Sequence, residues 1–136
     1  MTKTVLCATD GSPHAHKAVL HSAMLAKALG GDLILLAVLP HILGRGGPIP
    51  QWDPDRAQEA LNDGVRDAKA AGVASVNSVL AKGADIADTV IAIAREKHAD
   101  QIVVGSGGKG TVQRTFLGSV STGIVHKAHC PVTVVP

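Results

Sequence analysis

Residues 33–38 read LILLAV, six apolar side chains in unbroken succession. A strand with one face in water alternates apolar and polar residues. A strand apolar on both faces has to be covered on both, as the central strands of parallel sheets are by their crossover helices. That run demands a layered α/β chain, and the rest of the sequence supplies the layers. TVLCAT (4–9) and DQIVVG (100–105) are further short apolar runs, SVNSVLAK (75–82) is more polar and suits a sheet edge, and PVTVVP closes the chain. Helical spacing fills the intervals. After Ser12-Pro13, which cap and open a helix, Ala15, Ala18, Val19, Leu25, Ala26 and Leu29 share a face up to the stop at Gly30–Gly31. Ala57, Leu61, Val65 and Ala68 mark a second helix over 55–71 before Gly72, and Ile86, Val90, Ile93 and Ala94 a third over 84–97. Ser119 is placed to cap a last one over 119–128. The alternation predicts a three-layer, open, mostly parallel five-stranded sheet with helices on both faces. Residues 40–54, rich in Gly and Pro, read as one long loop suited to a lid or to a protein partner.

The bulk properties narrow the function. A chain of 136 residues is one domain, 1–136, long enough to bury a core without disulfide or metal. With 46% hydrophobic and only 1% aromatic residues, that core is built from Val, Leu, Ile and Ala. A net charge of +2 with no Lys/Arg run gives no footprint for nucleic acid. The N-terminal apolar stretch is too short for a signal peptide, and no 18-residue apolar run offers a membrane span, so the expected location is the cytoplasm. Cys7 and Cys130 then read as packing thiols, not a bridge.

The densest motif is GSGGKGTVQRTFLGS, 105–119, which follows the fourth predicted strand. Gly105, Gly107 and Gly110 spell G-x-G-x-x-G, but the dinucleotide fingerprint belongs after a first strand with an acid about 20 residues on, where this chain has Lys127, His129 and Cys130. The phosphate-loop pattern fails as well, because Gly110 follows Lys109 and Val103 stands where the first glycine belongs. A third spacing is chemically coherent: Gly105, two residues, Gly108, nine residues, Gly118-Ser119. Gly105 and Gly108 let main-chain amides turn inward, and Gly118-Ser119 offers a helix N-terminus to an anion, with Lys109, Arg114 and the Ser119 hydroxyl adding contacts. In open sheets ligands bind beyond the strand ends where strand order reverses, which makes Asp10 after the first strand and Gly105 after the fourth natural partners.

These residues resemble the ATP-binding branch of the universal stress protein family. The likeness runs through VLCATDGSPHAHKAV, LILLAV, KGADIADTVIAIAREKHADQIVVGS, the G-x2-G-x9-G-S spacing and HCPVTVVP, nearly the whole chain. It implies strand order 3-2-1-4-5 and a site for ATP, ADP or AMP, with Mg²⁺. By position it implies that Ala8 and Asp10 meet adenine and ribose, that the Val38 backbone recognises adenine, and that Val104 and Gly105 lie beside ribose and phosphates. Gly108, Gly118, Ser119 and Val120 form the phosphate cradle, with Lys109 beside it. An Asp10 carboxylate also suits ribose hydroxyls on chemical grounds. Two departures stand out: relatives often read GSHGRGG where this chain has GSGGKGT, and proline where it has Asp85. Lysine at 109 replaces a planar bidentate donor.

His126, His129 and Cys130 and the pair His14 and His16 invite a metal, yet no fourth ligand accompanies either set. A phosphate-receiver site lacks its acids, since Asp10 is alone and the third strand ends at Lys82-Gly83, and no G-x-S-x-G elbow is present. The reading is a nucleotide-binding regulatory module, a homodimer through strand 132–136 by family resemblance, with no catalytic residue assigned. A slow ATPase on the same scaffold and an interaction protein with a vestigial site stand as alternatives.

Overall fold

A computed structural model describes residues 2–44, 47–50, 53–106 and 118–136. Along the chain run β1 (Thr4–Ala8), α1 (Pro13–Leu29), β2 (Asp32–Gly44), β3 (Gly47–Pro50), α2 (Pro54–Ala70), β4 (Val76–Gly83), α3 (Ile86–Glu96), β5 (Gln101–Gly105), α4 (Ser119–Lys127) and β6 (Val132–Val135). The helix ends follow local chemistry. Ser12 Oγ accepts the Ala15 N–H at 3.2 Å, Asp53 caps α2 through the Asp55 N–H at 3.0 Å, and Asp85 caps α3 through the Asp88 N–H at 2.8 Å. Gly30, at φ 62, ends α1 in the left-handed conformation that side chains disfavour.

Five strands are parallel, in the order β4-β2-β1-β5-β6. Numbered among themselves they give 3-2-1-4-5, the order the resemblance implies. The fold is therefore the three-layer α/β sheet read from the sequence. Its strands explain LILLAV directly. Leu33, Leu35, Ala37 and Leu39 join Val5, Cys7 and Val103 in a core under α1 and α2, while Ile34, Leu36 and Val38 join Leu6, Ile102 and Val104 in a second core under α3 and α4. Two covered faces give a continuous apolar run instead of alternation.

Two sequence expectations need correction here. Residues 40–54 are not one long loop: β2 continues to Gly44 and pairs antiparallel with β3, Ile42 opposite Ile49 and Gly44 opposite Gly47. Glycine and proline obscured this strand, yet Pro48 and Pro50 lie in a two-stranded extension where missing N–H donors are tolerated at an edge. The apolar face of α1 also ends a turn early, at Ala26, leaving Leu29 exposed.

Candidate functional site

β1 and β5 pair directly, Cys7 opposite Val103, so their carboxyl ends open side by side. From there β1 crosses to β2 through α1 on one face, and β5 crosses to β6 through α4 on the other. This is the reversal point at which open sheets hold ligands. Ala8 ends β1 and packs partly against the α3/α4 core. The next residues fold on themselves: Asp10 Oδ1 accepts the Ser12 N–H at 2.9 Å, Thr9 Oγ1 accepts the Gly11 N–H at 3.2 Å, and Gly11 takes φ 79. One Asp10 oxygen is thereby fixed in the turn just beyond β1.

Val38 lies two residues beyond the last β1–β2 pair, Ala8 with Leu36. Its side chain is buried in the α3/α4 core, so only its backbone is available to a ligand. The Leu36 carbonyl faces β1 and accepts the Thr9 N–H at 2.8 Å. Strand alternation places the N–H and C=O of Val38 on that same edge, one step past the end of β1, where no strand lies alongside among the described residues. A donor and an acceptor side by side on one edge match the hydrogen-bonding edge of a nucleobase.

Across the crevice, Val104 and Gly105 pair with Val134 and Val135, and the Ser106 N–H donates to the Val135 carbonyl at 2.8 Å. Gly105 leaves little room for a side chain: a Cβ there would stand 3.1 Å from the C and O atoms of His14 in α1. Gly108 and Lys109 lie outside the described residues, as do Gly107, Gly110 and Arg114. The two ends of that segment are tied, since the Gly118 N–H donates to the Ser106 carbonyl at 3.0 Å and the Ser121 Oγ to the Gly105 carbonyl at 2.7 Å.

Ser119 is not the cap expected from the sequence. It is the first residue of α4, and Gly118 occupies the capping position at φ −65, ψ 161. The first ladder bond runs from the Thr122 N–H to the Gly118 carbonyl at 3.0 Å, so the N–H groups of Ser119, Val120 and Ser121 have no acceptor within the helix. α1, α2 and α3 each use a side-chain cap; α4 carries a glycine there and, among the described residues, its first amides have no side-chain partner at the positive end of its dipole.

Sequence reasoning missed two features. Ser121, 3% exposed, is the strut that joins α4 to β5, and nothing in SVSTG marks it out. A cavity of about 480 Å³ also opens between the β1–α1 turn, α1 and α2, with Val19 and Gly64 in its lining beside Arg56, Glu59, Asp63 and Asp67. Of the sequence-nominated residues it shares Asp10 alone. In its lining His16 Nδ1 stands 3.8 Å from Asp67 Oδ2, and Asp63 pairs with Arg66 at 3.3 Å. Cys7 takes no part in chemistry: burial pushes its thiol up to about 12, so it stays protonated. Desolvation, then Asp100, also raises the Cys130 thiol.

The model of the universal stress protein family matches residues 1–136. A universal stress protein of Thermus aquaticus is 34% identical over 99% of both chains, and one of Mycobacterium tuberculosis is 32% identical over 98% of this chain and 95% of its own. Among solved structures, a universal stress protein in complex with cAMP superposes with TM-score 0.78 at 27% identity, covering 98% of this chain and 96% of its own. A universal stress protein of Archaeoglobus fulgidus in complex with dAMP shares the fold, with TM-score 0.77 at 24% identity over 100% of this chain and 98% of its own.

Proposed function

The chain belongs to the universal stress protein family, and on that premise we propose that it is an adenine-nucleotide-binding regulator, a single domain that takes ATP, ADP or AMP with Mg²⁺. The observation that carries this reading is that the Val38 edge, unpaired with β1, and the N-terminus of α4, which has no side-chain cap, lie at the same end of the sheet as the ends of β1 and β5. Adenine pairs with the Val38 backbone and rests near Ala8. Asp10 accepts from the ribose hydroxyls. The phosphates run past Val104 and Gly105 to the amides of Ser119 and Val120 behind Gly118, with Gly108 and Lys109 completing the cradle. Mg²⁺ arrives with the triphosphate, whose oxygens are its natural ligands. The relative that binds cAMP supports the ligand class.

Regulation is favoured over catalysis because no described side chain near the crevice pairs a nucleophile with a base. In this reading the protein is cytoplasmic and dimerises through β6, a short edge strand whose four residues are all half-buried and whose outer side has no neighbouring strand among the described residues. Segment 40–54 is the proposed surface for a protein partner. Among the described residues no helix is long and apolar enough to cross a membrane.

Calorimetric titration with ATP, ADP, AMP, cAMP and GTP tests the site, and a phosphate-release assay on the same samples tests turnover. Saturable binding of adenine nucleotides without phosphate release is the expected result. Binding with steady release makes the protein a slow ATPase, and no binding makes the site vestigial. Light scattering of the protein and of Val134→Lys tests the dimer: a monomer in both defeats that part.

A further inference from the structure

His14 has no place in the site described so far, and three observations give it one. First, its main chain lies against Gly105, the residue whose carbonyl holds Ser121 of α4, so the first turns of α1 and α4 bear on one residue from opposite faces of the sheet. Second, His14, Ala18, His21 and Leu25 recur along one stripe of α1, all buried or half-buried, opposite the flank where His16 meets Asp67 and Lys27 meets Gly72 of the α2 side. His14 therefore faces β5 and β6, which α1 contacts, and not α2. Third, its ring Nδ1 is buried and has no hydrogen-bond partner among the described residues, a costly arrangement that native chains rarely keep without use.

Its backbone adds to this. The ladder of α1 opens with the His16 N–H on the Ser12 carbonyl, Pro13 has no N–H, and Ser12 Oγ takes the N–H of Ala15. Among the described residues the His14 N–H is left without an acceptor, beside the unpartnered ring nitrogen.

We infer that His14 is a further nucleotide contact, with Nδ1–H donating to a phosphate oxygen from the α1 side of the crevice, opposite the amides of α4. A phosphate oxygen at that point gives the buried Nδ1 the partner it lacks among the described residues. The crevice then grips phosphate from both helices. The inference rests on the nucleotide reading above and adds a residue that the family resemblance does not supply.

The test is calorimetric titration of adenosine, AMP and ATP into the intact protein and into His14→Ala, His14→Asn and His14→Gln. The asparagine amide stands where Nδ1 stands; the glutamine amide reaches the place of Nε2. His14→Ala is expected to bind AMP and ATP roughly tenfold or more weakly, as for a lost hydrogen bond to a charged group. It is expected to bind adenosine as before and to melt no lower than the parent when ligand-free. His14→Asn recovers most of the loss and His14→Gln does not. Unchanged ATP affinity in His14→Ala overturns the inference, as does an equal loss for adenosine, which marks a structural role, or rescue by glutamine in place of asparagine. A parent protein that binds none of the three defeats the nucleotide reading itself, a result visible before any variant is compared.

Discussion

Gly105→Ala puts the junction of β5 with α1 under direct strain. The added methyl carbon would stand 3.1 Å from the C and O atoms of His14 and 3.4 Å from the N of Ala15, inside the roughly 3.5–4.0 Å of a relaxed contact. The atoms it meets are backbone, and neither side is free to retreat. α1 is anchored by the Ser12 cap, and β5 is held between β1 and β6. Gly105 is not one of the glycines with left-handed φ, so alanine meets no torsional strain there and gains a little by restricting the unfolded chain. Overpacking costs about 1–3 kcal/mol and that gain returns about 0.5, for a net loss of roughly 0.5–2.5 kcal/mol. With a urea m-value of about 2 kcal/mol/M, the unfolding midpoint falls by roughly 0.25–1.25 M at unchanged m. Urea titration followed by far-UV circular dichroism reads it. A midpoint within about 0.25 M of the parent would refute the close packing of α1 on Gly105, and with it the seat assigned to His14.

Asp85→Ala removes the cap on the Asp88 N–H and should cost about 1 kcal/mol in the same urea assay, whereas a neutral result would mean water replaces the cap. Asp10→Ala and Gly118→Val should each abolish nucleotide-dependent stabilisation while cooperative unfolding persists; retained binding in both would move the site elsewhere. Cys7 links stability to alkaline pH. Its folded-state value is raised to about 12 from 9.0, so the unfolded chain loses the proton first. Stability is fully retained below pH 9 and falls by roughly 1.4 kcal/mol per pH unit as pH rises towards 12. Cys7→Ala should flatten that part of the profile, and an identical slope in both proteins would show that the thiol is not sealed.

Much of the fold was legible because parallel α/β chains write their burial into local patterns. LILLAV could be placed between two helical layers since both its faces are covered, and Ser12-Pro13 and Gly30 carry their capping chemistry in their residue types. The hairpin of β2 with β3 was not legible: proline and glycine at 44–50 argue locally against a strand, and only pairing across the turn makes one. The exchange of roles between Gly118 and Ser119 escaped for the opposite reason, because serine is a good cap and only the path of the chain puts glycine at that position. The site divides the same way. Asp10, Val38, Gly105 and Gly118 stand in recognisable motifs. Ser121 and His14 act through contacts with Gly105, 16 residues from one and across the sheet from the other, and no local pattern registers such contacts.

The most direct measurement is the melting temperature of the intact protein with saturating ATP and Mg²⁺, set against the same concentration of GTP. A ligand at 100 times its dissociation constant adds about 2.7 kcal/mol, roughly 9 °C for a chain of this length. The edge of Val38 should hold adenine and refuse guanine, so ATP is expected to raise the transition by that amount and GTP to leave it in place. No shift with ATP, or an equal shift with GTP, would contradict an adenine site at the ends of β1, β2 and β5.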